Sequence, residues 1–258
     1  MTFQEFEELT RKEILSSEEK QMLEPYKVKR AVIMAAGLGK RMRPLTERCP
    51  KPLIEVNGVR IIDTIIDALL EQGIKDIYII RGYLAEQFDV LQVKYPNIHM
   101  LNNLCYESGN NILSACLAGD LIAGAYVMPA DIIINNSKVF SLYQYSSNVL
   151  GYKVDETEDW CIQTNENGII ERLGPGGHNC YKDTGIFYWN KKDGIQLSKD
   201  ILNVCKRREG WQRYWSNVAF ELYKDNYSSV IRECKETDVI EIDTIEELAQ
   251  IDSLYEGM

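Results

Sequence analysis

Histidine is scarce in this 258-residue chain: His99 and His178 are the only two, and they lie far apart. Seven cysteines (Cys49, Cys105, Cys116, Cys161, Cys180, Cys205 and Cys234) are scattered without a Cys-x-x-Cys pair, so a zinc site is not expected. Their odd number and spacing fit free thiols in a reducing compartment. No apolar run approaches the roughly 20 residues of a membrane helix. The acidic start, Met1-Thr-Phe-Gln-Glu-Phe-Glu-Glu, lacks the basic and then apolar stretches of a secretory signal. Membrane insertion is therefore not expected, and the cytoplasm is the expected location. Positive charge is also short, with 29 Lys and Arg against 39 Asp and Glu and a net charge of −10. That argues against non-specific nucleic-acid binding, which depends on phosphate neutralisation. A nucleotide remains possible as a ligand, provided that positive charge is gathered locally or supplied by a metal ion. The 45% hydrophobic content is that of a globular protein. Internal repeats and low-complexity segments are absent.

What is present begins with helix signals. Thr2-x-x-Glu5 and Ser16-x-x-Glu19 are capping-box patterns, predicting two short helices within residues 2–25. Phe3, Phe6 and Leu9 would form one apolar stripe, Met22 and Leu23 another, and Pro25 ends the segment. Without a basic third helix, residues 1–27 read as a packing extension rather than a DNA-binding module. From Ala31 strands and helices alternate. Strands are predicted at 31–34, 77–81, 98–101 and 126–128, and helices at 61–72, 84–95 and 111–121, which indicates a parallel sheet with helices on both faces. After residue 145 the pattern changes. Strands are predicted at 149–153, 160–164, 169–173 and 183–189, with Asn165–Gly168 as a hairpin turn and Gly174–Gly177 as a loop. Helices follow at about 191–207 and 214–225, then strands at 228–233 and 238–242 and a last helix at about 244–255. Residues 28–258 thus read as one α/β domain, with a nucleotide-binding half (28–145) and an acceptor-binding half (146–258).

The first strand runs into Ala35-Ala36-Gly37-Leu38-Gly39. A basic segment follows, in which Lys40, Arg41, Arg43, Arg48 and Lys51 face Glu47 alone. Glycines at a strand end let backbone N–H groups approach a ligand, and the cations behind them would neutralise a polyanion. The combination points to a triphosphate cradle. It is not a Walker loop, because Arg41 follows Gly39-Lys40, and not a dinucleotide fingerprint, because position 42 is Met. Ligands of open α/β sheets sit beyond the carboxyl ends of strands. Gly82-Tyr83, Asp131, Glu241 and Asp243 fall at such ends. Glu241 and Asp243, two apart in a strand, can point together. With Asp131 they could form an oxygen cluster suited to magnesium. A solvated strand end, with Asp243 capping the final helix, is the alternative.

The run Ala35-Ala36-Gly37-x-Gly39-x-Arg41-Met42-x-Pro44-Leu45-Thr46, then Pro50-Lys51-Pro52-Leu53, resembles the opening of the sugar-phosphate and alkylphosphate nucleotidylyltransferases. Residues 28–254 look like the bacterial CTP:phosphocholine cytidylyltransferases within that family. The further matching stretches are Gly82–Asp89, Asn110-Asn111, Ala130-Asp131, Tyr214-Trp215-x-Asn217 and Glu241–Asp243. The resemblance implies a Rossmann-like nucleotidyltransferase fold, a mixed and mostly parallel sheet flanked by helices. It implies Mg²⁺ on Asp131 and Asp243, with Glu241 beside them, and phosphates handled by Arg41 and Lys51. It also implies a nucleotide near Ala35, Ala36, Gly37, Gly39, Gly82, Tyr83 and Asn110, and an acceptor read by Trp160, Tyr214 and Trp215.

The activity so implied is magnesium-dependent transfer of CMP from CTP to phosphocholine, by in-line attack of an already ionised phosphate on the α-phosphorus. Such chemistry needs no general base, which agrees with the shortage of histidine. One departure concerns the acceptor: Gln212-Arg213 precede Tyr214, where the relatives carry an acidic residue. Glu156, Glu158 and Asp159 are the substitutes at hand. Phosphoethanolamine or 2-aminoethylphosphonate is then an alternative acceptor, and a sugar 1-phosphate a third. A non-catalytic nucleotide-binding regulator is the alternative of another class. The expected partners are small molecules, with no nucleic acid.

Overall fold

The computed structural model describes residues 1–257. Two short helices open the chain, α1 (Phe3–Thr10) and α2 (Ser17–Leu23), and each begins with its expected reciprocal capping box. Phe6, Leu9 and Leu23 are buried in one small cluster. The rings of Tyr26 and Tyr145 stack at 5.3 Å beside Phe6. Much of the apolar surface of the extension is thus used in packing. Phe3 and Met22, expected in the stripes, are about half exposed.

The chain continues through β1 (Arg30–Ala35), a small hairpin of β2 (Glu55–Val56) and β3 (Val59–Arg60), α3 (Ile61–Glu71), β4 (Ile77–Arg81), α4 (Val90–Lys94), β5 (His99–Asn102), α5 (Ile112–Ala118), β6 (Ala125–Pro129) and β7 (Ile132–Ile134). Then come β8 (Asn148–Thr164), β9 (Ile170–Trp189), α6 (Lys191–Cys205), β10 (Val230–Glu233), β11 (Val239–Glu241) and α7 (Ile245–Ile251). A seven-stranded sheet has the order β10-β8-β9-β6-β1-β4-β5. The β1–β4, β1–β6, β4–β5 and β10–β8 pairings are parallel, while β9 runs antiparallel to β6 and β8. The fold is therefore the mixed, mostly parallel sheet expected of a Rossmann-like nucleotidyltransferase. Along β1 the side chains alternate: Ala31, Ile33 and Ala35 face the cluster that contains α3, and Val32 faces the cluster that contains α5 and α6. The strand order reverses between β1 and β6, so the crevice beyond their carboxyl ends is the natural ligand site.

Several predicted elements are corrected. The helix expected over 84–95 is a 3₁₀ segment, Ala85–Asp89, followed by the short α4, because Leu84 takes the left-handed conformation at φ 47°. The helix expected over 111–121 stops at Ala118 and goes on as a 3₁₀ turn from Gly119. The segments expected at 149–153 and 160–164 are one strand, β8, and those at 169–173 and 183–189 are one strand, β9. The Gly174–Gly177 stretch, expected as a loop, lies inside β9. Glycine there has a packing reason, since a Cβ on Gly177 would come within 2.5 Å of Cys161 Sγ on the paired strand. The helix expected over 214–225 shrinks to a π-turn at Val218–Leu222. The β2–β3 hairpin and β7 had no counterpart in the sequence pattern. The described residues include no helix long and apolar enough to cross a membrane.

Candidate active site

The cleft forms where β1 ends. Gly39 has φ +60°, and a Cβ there would lie 2.9 Å from Thr46 Cγ2 and 3.3 Å from Lys51 Cβ. Only glycine lets residues 40–53 fold back so closely on the loop. The Thr46 hydroxyl fastens that fold by donating to Gly39 O at 2.8 Å. The consequence is that Lys51, far along the chain from β1, returns to the strand end. Gly82 is similarly crowded: a Cβ there would meet Tyr106 at 2.8 Å and Ala36 at 3.0 Å.

The acidic residues arrive by a different route. β7 and β11 pair antiparallel, with Glu241 opposite Ile132, and Ile242 N–H donates to Asp131 O at 3.0 Å. Asp131 therefore stands beside Glu241 and Asp243, and one carboxylate oxygen from each falls within 4.8 Å of the others. Asp243 does not cap the final helix; Thr244 does. Lys51 Nζ lies 3.0 Å from Asp131 Oδ2 and 2.9 Å from Asp243 Oδ1, and Arg41 donates to the same Asp243 oxygen at 2.7 Å.

The charges explain one another. Burial alone would lower the pKa of Lys51, but the charges of Asp131 and Asp243 and their hydrogen bonds outweigh it and hold the ammonium above its ordinary value. Partial desolvation in the cleft, then the neighbouring charges of Asp131 and Asp243, push the Glu241 carboxyl up to about 8, although the residue as a whole stays exposed. Asp131 Oδ1 is buried without a hydrogen-bond partner. Three hard oxygen ligands in reach of one another, one with a spare buried acceptor, fit a small divalent cation.

A cavity of about 680 Å³ opens here. It is lined by Ala36, Gly37, Gly39, Lys40 and Arg41, by Asn110, and by Asp131, Glu241 and Asp243. Ala35 and Lys51 line the adjoining recess of about 240 Å³. Gly82 and Tyr83 are not among the lining residues; Tyr106 is, 6.5 Å from Tyr83 between ring centroids. Trp160 and Tyr214 also line it and meet edge to face at 5.1 Å. Trp215 is a floor residue, buried against Phe187 at 4.7 Å. Its backbone N–H donates to Asn111 Oδ1, and Asn110 N–H donates to Trp211 O, so the two cleft-lining loops are tied together.

The residues of the Gln212-Arg213 departure do not line the cleft: Gln212 bonds to Ser108 O, and Arg213 pairs with Glu221. Of the acids before Trp160, Asp159 reaches the cleft, where it is paired with Lys182 at 2.7 Å, and Glu156 pairs with His178. Sequence reasoning missed Lys182, Asp183 and Tyr106 in the lining. Asp183 carried a faint signal, a carboxylate at the start of an otherwise apolar strand.

Residues 30–209 match the nucleotidyl transferase family. The chain is similar to 2-aminoethylphosphonate cytidylyltransferase of Lancefieldella rimae, at 35% identity over 228 residues, covering 87% of this chain and 92% of that protein. It is also similar to choline-phosphate cytidylyltransferase of Streptococcus pneumoniae, at 29% identity over 231 residues, covering 88% and 99%. Among solved structures, the CTP:phosphocholine cytidylyltransferase of Streptococcus pneumoniae superposes with a TM-score of 0.82 at 29% identity, covering 89% of this chain and 100% of that one. The inositol-1-phosphate CTP transferase of T. maritima, at 17% identity and a TM-score of 0.70, shares the fold.

Proposed function

The chain belongs to the nucleotidyl transferase family, and from that membership we propose that it transfers CMP from CTP to a small acceptor with a phosphate or phosphonate at one end and an ammonium at the other. Phosphocholine, phosphoethanolamine and 2-aminoethylphosphonate are the members of that class to be compared. The observation that carries this reading is one continuous cleft lined by both a glycine and lysine–arginine cradle and the Trp160–Tyr214 pair. Cytidylyltransferases of both phosphocholine and 2-aminoethylphosphonate are among the relatives. A sugar acceptor would call for hydroxyl-reading polar groups where those aromatics stand.

In this reading the loop amides and Arg41 hold the β,γ-phosphates, and Asn110 lies beside the nucleoside. Lys51 faces the α-phosphoryl group and stabilises the negative charge that grows as pyrophosphate departs. Asp131, Asp243 and Glu241 would hold Mg²⁺. When bound, the ion supplies charge that neutralises the α-phosphate and the approaching acceptor oxygen. The acceptor phosphate is already ionised and needs no base, so the protein contributes alignment and charge.

The test is pyrophosphate release with Mg²⁺, scanning CTP and UTP against the three ammonium acceptors and glucose 1-phosphate. Turnover with CTP and an ammonium acceptor is expected. Turnover with glucose 1-phosphate alone, or none despite CTP binding, would refute the reading.

A further inference from the structure

One carboxylate that lines the cleft outside the oxygen cluster has no partner of opposite charge. Asp183 lies on β9, two residues before Gly185, where φ is +76° and a Cβ would come within 2.9 Å of Pro129. That close approach lays β9 against the end of β6. Asp183 lines the same cleft as Trp160, Phe187 and Tyr214. Its Oδ1 accepts the Gly185 N–H at 2.8 Å. Of the other acids facing the cleft, three are paired with cations; Glu241 is not, and Asp183 is among the charges that raise its pKa. Asp131 and Asp243 are held by Lys51, Asp243 also by Arg41, Asp159 by Lys182, and Glu241 stands in the oxygen cluster. Burial pushes the Asp183 carboxyl up to about 7, so ionising it in the empty cleft is costly. A bound cation would remove that cost.

Of the five aromatic residues that line the cleft, four pack on one another in pairs. Trp160 and Tyr214 meet edge to face, and Trp215 is packed into the floor against Phe187. A trimethylammonium group has no N–H to donate and depends on surrounding ring faces. A primary ammonium has three N–H donors and forms short, charge-assisted bonds to a carboxylate. We infer that Asp183 receives the ammonium of the acceptor and sets a preference for a protonated primary amine over a quaternary one. This rests on the acceptor class proposed above and identifies which of its members the pocket selects.

The experiment compares wild type and Asp183→Asn in steady-state kinetics with 2-aminoethylphosphonate, phosphoethanolamine and phosphocholine. CTP-induced thermal stabilisation serves as the check that the variant is folded. Wild type is expected to favour a primary-amine acceptor by about tenfold or more in kcat/KM. Losing one partner of a desolvated charge pair corresponds to a loss of about 30-fold or more. That loss should fall on the primary amines, mainly through KM, and phosphocholine should change by less than about threefold. A variant that keeps the wild-type amine preference, or that loses all three acceptors in parallel, overturns the role of Asp183 while leaving the acceptor class standing. So does a wild type that prefers phosphocholine. A wild type that binds CTP but turns over none of the three overturns the acceptor class and this inference with it.

Discussion

Replacing Lys51 with methionine tests the charge arrangement of the cleft most directly. Methionine keeps an unbranched chain in the buried channel and removes only the ammonium. In the native protein Nζ lies 3.0 Å from Asp131 and 2.9 Å from Asp243, with the lysine side chain 9% exposed and the two carboxylates 29% and 21% exposed. Breaking a fully buried pair by deleting one partner costs about 3–5 kcal/mol. Here both carboxylates keep some water, which moves the expectation to the low end, about 2–3 kcal/mol. For a chain of this size that lowers Tm by about 5–10 °C. Magnesium should recover more Tm in the variant than in wild type, because the oxygens that the cation needs are no longer shared with Nζ. Activity should fall by about 10²–10³ in kcat, the usual loss for one donor aimed at growing transition-state charge. Calorimetry with EDTA or Mg²⁺ and single-turnover kinetics read the two effects separately. Equal Mg²⁺ shifts in both proteins, or a kcat within threefold of wild type, would refute the assignment.

Glu241 predicts a pH dependence. Its folded value of about 8 lies above the ordinary carboxylate value, so the folded state keeps a proton that the unfolded chain loses. Stability of the metal-free protein from this group is full below the unfolded pKa and declines as pH rises through about 8. Metal ligands must be deprotonated, so the Tm rise with Mg²⁺ is expected to be larger at pH 8.5 than at pH 6, and equal rises would count against Glu241 as a ligand. Trp160→Ala and Tyr214→Ala should raise KM for phosphocholine by about 3–30-fold, the range of a cation–π contact, and leave KM for CTP within twofold; an unchanged acceptor KM would remove the pair from the pocket. Leu23→Ala, at a fully buried site of the N-terminal extension, should cost about 2–4 kcal/mol by denaturant titration and leave kcat unchanged. A loss of kcat without a loss of stability would give the extension a role beyond packing.

Local chemistry made part of this molecule readable in advance. The capping boxes of α1 and α2 were visible because their partners lie three residues apart. The β1 strand and its glycines were visible because a buried strand and a phosphate-approaching loop each need a particular residue type. The errors fall where a partner distant in sequence overrides propensity. Gly174–Gly177 has loop composition, but Cys161 on the facing strand needs the space that a side chain would fill. Residues 214–225 have helical spacing, yet the Trp215 N–H is taken by Asn111 and its ring is packed on Phe187.

The same reasoning explains why the acid cluster was only half legible. Glu241 and Asp243 share a face by strand period alone, which the sequence displays. Asp131 joins them because the three-residue strand β7 pairs with β11 across more than a hundred residues, and a strand that short leaves almost no pattern. Three carboxylates drawn into so small a space repel one another, and a chain of net charge −10 has little spare positive charge. Lys51 and Arg41 are therefore required at this point for the cluster to exist without a bound cation. The crowded Gly39, by letting the basic segment fold back, is what brings them there. The glycine loop thus has two physical duties that cannot be separated by composition: in the proposed reading it approaches phosphate, and in the fold it delivers the cations that hold the acids together.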